Sequence, residues 1–173
     1  MRTMNLDTLV RAGQSPWHPV PTAEDIDVWD KYEFPICGSY RLDGHLVVFT
    51  LITTAGTRSL WAYVPVDREA EQAVSEARFE TEDEFNDFLA GCFAGHAAVF
   101  AAAENFLITS KSDGIPIPAS RNALLAAGAK WYAERSAALY AELRKRLDSA
   151  ASHPADPEEL LSAAQGVIET LPV

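Results

Sequence analysis

The chain has 173 residues, of which 48% are apolar, 10% aromatic and 23% charged, with a net charge of −11. That supplies enough apolar material for one core, sets disorder aside for most of the length, and makes the surface repel phosphate backbones and anionic lipids. Nucleic-acid and membrane-surface partners are disfavoured. The longest uncharged run, Phe88 to Ala103, has 16 residues, short of the roughly 20 that cross a bilayer as a helix.

Met1 to Gly13 mixes Arg2, Asp7 and Arg11 into a short apolar pattern and lacks the apolar run of a secretory signal. Cys37 and Cys92 are the two cysteines. In a chain large enough to fold without staples they are expected as reduced thiols of a cytoplasmic protein. The charge is uneven: residues 1–110 hold seven Lys and Arg against seventeen Asp and Glu, and residues 111–173 hold seven against eight.

In chain order, Asn5 to Ala12 reads as a short helix closed by Gly13, and a Pro-punctuated loop follows through Pro16, Pro19 and Pro21. Thr22 reads as the cap of a second short helix reaching about Lys31. Phe34 to Leu42, His45 to Thr54 and Thr57 to Val66 are rich in β-branched and aromatic residues and are separated by Asp43-Gly44 and Ala55-Gly56. They predict a three-stranded antiparallel meander over about 34–66. Residues 67–80 fit either a charged helix or a loop leading to a short strand.

Thr81 with Glu84 forms a capping box and opens a predicted long helix to about Asn105, with Phe85, Leu89, Cys92, His96, Val99 and Ala103 at helical spacing. Gly91, Gly95, Ala98 and Ala102 form a small-residue stripe beside it. A short strand at Phe106 to Thr109 and a long helix from Ser120 to about Ser149 follow, and Asp156-Pro157 starts a last helix through about Glu169. The expected fold class is α+β: a small meander preceded by short helices and followed by two long helices and a short C-terminal one. Residues 1–173 make a single domain, with 1–21 and 150–156 loop-like.

With both turns two residues long, Leu42 faces His45, Tyr40 faces Val47, Val47 faces Val64 and Thr50 faces Trp61. One face then collects Tyr40, Leu42, Val47, Phe49, Leu60, Ala62 and Val64 as core. The other carries Cys37, Arg41, Val48, Trp61 and Tyr63, too aromatic for a solvent face, so a helix of the chain, a second copy or a ligand is expected to cover it. In that reading Arg41, Trp61 and Tyr63 line a partner or ligand groove.

Cys92 and His96, four apart on one predicted helix face, have the spacing of two metal ligands or of a thiol beside an imidazole. They are half a site, because the register sets Cys37 and His45 about 17 Å apart on the ladder. Both also sit in an apolar stripe, where a cysteine packs as a small hydrophobe and a histidine satisfies a core carbonyl. No GxSxG, GxxxxGK[ST], GxGxxG or HExxH occurs, so no catalytic residue, metal or cofactor is assigned.

The order of short helix, three-stranded meander, long helix, extended segment and long helix resembles that of small acidic secretion chaperones of the type III class, in element order alone. That resemblance implies a role in binding another protein. The expected function is a non-enzymatic protein-binding or regulatory module of immunity, antitoxin-like, chaperone or adaptor type. A basic protein partner would meet an acidic surface that includes Glu82, Asp83 and Glu84, and a homodimer is a further expectation. The alternative is a small enzyme or small-ligand-binding domain with a pocket between the sheet and the long helices near Cys92 and His96.

Overall fold

The computed structural model describes residues 4–120 and 122–151. After a 3₁₀ turn at Leu6–Thr8 come strands β1 (Glu24–Lys31), β2 (Pro35–Leu42), β3 (His45–Ala55) and β4 (Arg58–Pro65). Helices α1 (Arg68–Glu76) and α2 (Glu82–Phe93) precede β5 (Ala97–Glu104), β6 (Leu107–Lys111), β7 (Ile115–Pro116) and α3 (Ala123–Ala151). Strands β1 to β6 form one antiparallel meander in chain order, and β7 pairs with the start of β5. Two compact units meet between Ala129 and Lys130. The whole sheet, α1, α2 and the start of α3 belong to the first.

The chain is α+β, but a three-stranded meander with two long helices is not its architecture: the sheet has seven strands and α2 ends at Phe93. The element order behind the chaperone resemblance is therefore not that of this chain. Residues Glu24–Lys31 are a strand rather than a capped helix. Asp25, Ile26, Asp27 and Val28 alternate at period two, and acidic residues near Thr22 imitate a helix N-terminus without making one. Asn5 to Ala12 contributes only the 3₁₀ turn. The predicted helix at 157–169 lies outside the described residues.

Gly95 explains why α2 stops. It takes φ +75° just past the helix end, a conformation open to glycine, and donates its N–H to Ile117 O at 2.8 Å. The Ala-rich stretch beyond it has good helix propensity, yet pairs with β4 along Tyr63↔Val99 to Arg58↔Glu104. Tertiary burial outweighs propensity here: Ala98, Val99, Phe100, Ala101 and Ala103 are all buried, as in a strand covered on both faces. The Cys92–His96 spacing and the small-residue stripe thus lie across a helix–strand junction, not along one helix.

The first hairpin has the expected register, Leu42↔His45 through Cys37↔Thr50, and Asp43 and Gly44 both take positive φ. The second does not. Its turn is Gly56-Thr57, with Ala55 opposite Arg58, and an irregularity between Leu51 and Thr53 then changes the pairing to Val47↔Pro65, Phe49↔Tyr63 and Leu51↔Trp61. A turn centred one residue later and one bulged residue together offset the expected register by one, and an offset of one exchanges the two faces of a strand. Trp61 and Tyr63 consequently join Tyr40, Leu42, Val47 and Phe49 in one cluster with Val99, Ala101 and Ile108.

The N-terminal segment covers that face. Leu9, Val10 and Val20 are buried in the same cluster, with Met4, Leu6 and Trp17 packed against it. Backbone bonds Gly13 N–H to Ile108 O at 2.8 Å and Ile108 N–H to Gln14 O at 2.9 Å tie the segment to β6. The phenols complete the attachment, Tyr40 Oη donating to Leu9 O at 2.8 Å and Tyr63 Oη to Pro16 O at 2.7 Å. On the opposite face the first turns of α3 lie against β4 and β5, so close that a methyl on Gly128 would come within 3.0 Å of the Phe100 ring.

Candidate functional site

The face opposite the N-terminal segment stays open near β1. There a groove of about 1030 Å³ lies between β1–β3 and the pair α1–α2. Asp25, Asp27 and Trp29 of β1 line it, on a strand bulged on both sides of Asp27–Val28, and β2 adds Ser39 and Arg41. The helical wall brings Arg68 and Glu71 from α1, Arg78 and Phe79 from the linker, and Phe85 and Phe88 from α2.

Phe85 and Phe88 are three apart and so share a side of α2. Phe79 meets both rings, at centroid distances of 5.3 Å and 5.0 Å, and Trp29 reaches Phe88 at 6.3 Å. The rings join the edge strand to α2. The N-terminus of α2 is fixed by Thr81 Oγ1, which accepts from Glu84 N–H at 3.2 Å, and by Glu84 Oε2, which accepts from Glu80 N–H at 2.9 Å. The helix start expected from Thr81 and Glu84 is therefore present, with the return bond made one residue earlier than in a standard capping box.

Across the groove floor Arg41 Nη2 donates to Glu71 Oε1, a half-exposed ion pair linking β2 to α1. The hydrogen bond and charge of Glu71 raise the Arg41 pKa further above its usual value, and Asp25 adds to this. The groove is bipolar. Asp25 and Asp27 make the β1 wall negative, whereas Arg68 and Arg78 make the helical wall positive.

Of the candidate site residues named from the sequence, Arg41 lines this groove. Trp61 and Tyr63 are wholly buried on the other face under the N-terminal segment. Glu82, Asp83 and Glu84 form the exposed first turn of α2, where negative charge suits the helix dipole. Cys92 is buried near the end of α2, and its thiol is pushed up to about 11 by burial. His96 sits in the turn before β5, with Nδ1 3.0 Å from Ala94 O and Nε2 4.0 Å from Asp67 Oδ2. Cys37 is likewise free and buried, raised to about 12 by burial and by the charge of Asp30. Among the described residues no group of three or more His, Cys, Asp or Glu is arranged to hold a metal ion, and no helix is long and apolar enough to cross a membrane.

Trp29 and Phe79 carry no mark in the sequence, where Trp29 falls in an expected short helix and residues 67–80 fit either a charged helix or a loop leading to a short strand; Asp25 and Asp27 stand out there only as part of an acidic run. Alternation from Asp25 to Val28 is the available signal. No family model, no curated protein and no solved structure matches the chain.

Proposed function

We propose that this chain is a non-enzymatic protein-binding module that holds a basic, extended segment of another protein in the groove between β1–β2 and α1–α2. The observation that carries this reading is the juxtaposition of Trp29, Phe79, Phe85 and Phe88 with the carboxylates of Asp25 and Asp27 in one open groove. Lys and Arg side chains lay their apolar stems on aromatic surfaces and place their charge over ring faces or beside carboxylates. Arg68 and Arg78 on the opposite wall orient such a segment, cations toward β1 and carbonyl oxygens toward the helices. The free thiols of Cys37 and Cys92 suit a reducing compartment such as the cytoplasm. A thiol raised toward 11 is mostly protonated at neutral pH, which argues against the alternative of a nucleophilic site at Cys92 and His96.

Photo-crosslinking residues placed at Phe79 and Phe88 test this reading in the native host, with Thr109 on β6 as control. The expected outcome is one common adduct protein from both groove positions, absent from the control and diminished when lysates are brought to high salt before irradiation. Adducts equally frequent at Thr109, or groove adducts of small molecules alone, would overturn it.

A further inference from the structure

We infer that the partner segment binds as an added β-strand along the free edge of β1, an inference that rests on the groove reading above. Among the described residues β1 ends the strand order and is paired along one edge, to β2. An unpaired strand edge offers a row of amide donors and acceptors to any chain that can lie beside it. Seven of the eight residues of β1 are exposed. Its residue chemistry specifies the composition of the incoming strand. Asp25, Asp27 and Trp29 line the groove, and Ile26 and Val28, 39% and 38% exposed, alternate with Asp25 and Asp27 in sequence, although bulges between Glu24 and Asp27 and between Val28 and Asp30 interrupt the regular pleat. A complementary strand carries Lys or Arg to meet these carboxylates and Val or Ile to meet the apolar residues.

Charge decides the occupant. From Glu24 to Glu33 there are five carboxylates against the single cation Lys31. A second copy pairing edge to edge would set these acids against one another, and like charges across a strand pair are destabilising. Charged side chains are also among the ways edge strands avoid self-association. The same charges favour a basic strand, so the edge rejects its own kind and admits a cationic partner.

The test uses the full chain and a synthetic octapeptide of alternating Val and Lys, blocked at both ends. Binding is read by fluorescence anisotropy and by hydrogen exchange over residues 24–31. The expected result is saturable, salt-sensitive binding that slows exchange in β1. N-methylation of alternate peptide residues, which removes the edge donors but keeps the side chains, should weaken it by about tenfold or more. A Val-Glu peptide should not bind. Asp25→Lys with Asp27→Lys should weaken the Val-Lys peptide while leaving the far-ultraviolet spectrum unchanged. If the N-methylated peptide binds equally well and Phe88→Ala weakens both, strand addition falls and the groove reading stands. If binding ignores Phe88→Ala, Phe79→Ala and the Asp variants alike, both fall. If the Val-Lys peptide fails to bind at all, the edge inference falls, and the crosslinks from Phe79 and Phe88 decide the groove reading separately.

Discussion

The phenol of Tyr63 spans the sheet and its cover: the ring packs against Phe49 and the hydroxyl bonds Pro16 O at 2.7 Å, wholly out of water. Tyr63→Phe keeps the ring and leaves the Pro16 carbonyl without its donor, so a loss of about 1–3 kcal/mol is expected in urea unfolding. Burial also raises the pKa of Tyr40 and Tyr63 well above the usual phenol value. Cys37 and Cys92, with ordinary values of 9.0, are pushed up to about 12 and about 11. All four are neutral in the fold, and a raised folded pKa favours the protonated native state. Their contribution is therefore complete below the unfolded pKa and is lost as pH rises toward the folded one. The urea midpoint should be insensitive to these groups up to about pH 9 and should fall steadily from there to pH 11. A midpoint unchanged to pH 11 would contradict the burial of these groups.

At the scale of elements, β1 pairs with β2 through an irregular ladder, with register shifts on either side of Asp27–Val28 and near Asp30. Gly38 makes this possible: a Cβ there would lie 2.1 Å from Asp27 O and 3.1 Å from a ring carbon of Phe49. Gly38→Ala must push β1 outward, at a cost of about 1–3 kcal/mol as in other overpacked sites. The amides of Glu24–Lys31 should then exchange faster than in the parent chain while those of β3 and β4 change less. Unaltered protection in β1 would show that the close approach at Gly38 is not what seats the strand. Trp29 and Phe88 tie the same strand to α2, so the groove loses a wall whenever β1 leaves the sheet.

Over the whole molecule, the sheet is covered asymmetrically. The N-terminal segment closes the aromatic face, the first turns of α3 cover part of the other at Leu60 and Phe100, and the groove occupies the remainder beside β1. Without residues 1–14 the chain loses Leu9 and Val10 and the bond from Tyr40 to Leu9 O. That truncation should bind a hydrophobic dye strongly and aggregate at its uncovered aromatic face, whereas the full chain should not. A truncated chain that remains monomeric and does not bind dye would mean that the segment is dispensable. The complex proposed above depends on the opposite face, so its groove chemistry and this cover are separable.

Local chemistry alone settled a good deal. Asp43-Gly44 determined the first hairpin and its register, because a two-residue turn with both φ positive pins the flanking strands. Thr81 determined where α2 starts through its own side chain. Composition determined an acidic surface concentrated in the first two thirds. Only the tertiary structure decided where α2 stops, since Ala97–Glu104 favours a helix on its own and becomes a strand because β4 on one side and β6 and β7 on the other complete its ladder. It likewise decided which way Trp61 and Tyr63 face, because the irregularity between Leu51 and Thr53 carries no marker residue and yet exchanges both sides of β4. The groove follows from those two long-range outcomes: ending α2 at Phe93 leaves Phe85 and Phe88 on a short helix facing the β1 side, and reading Asp25 to Trp29 as an edge strand places the acids and the indole opposite them. Sequence fixes residue chemistry and short-range turns, whereas partners distant in the chain choose among backbone states that lie close in energy.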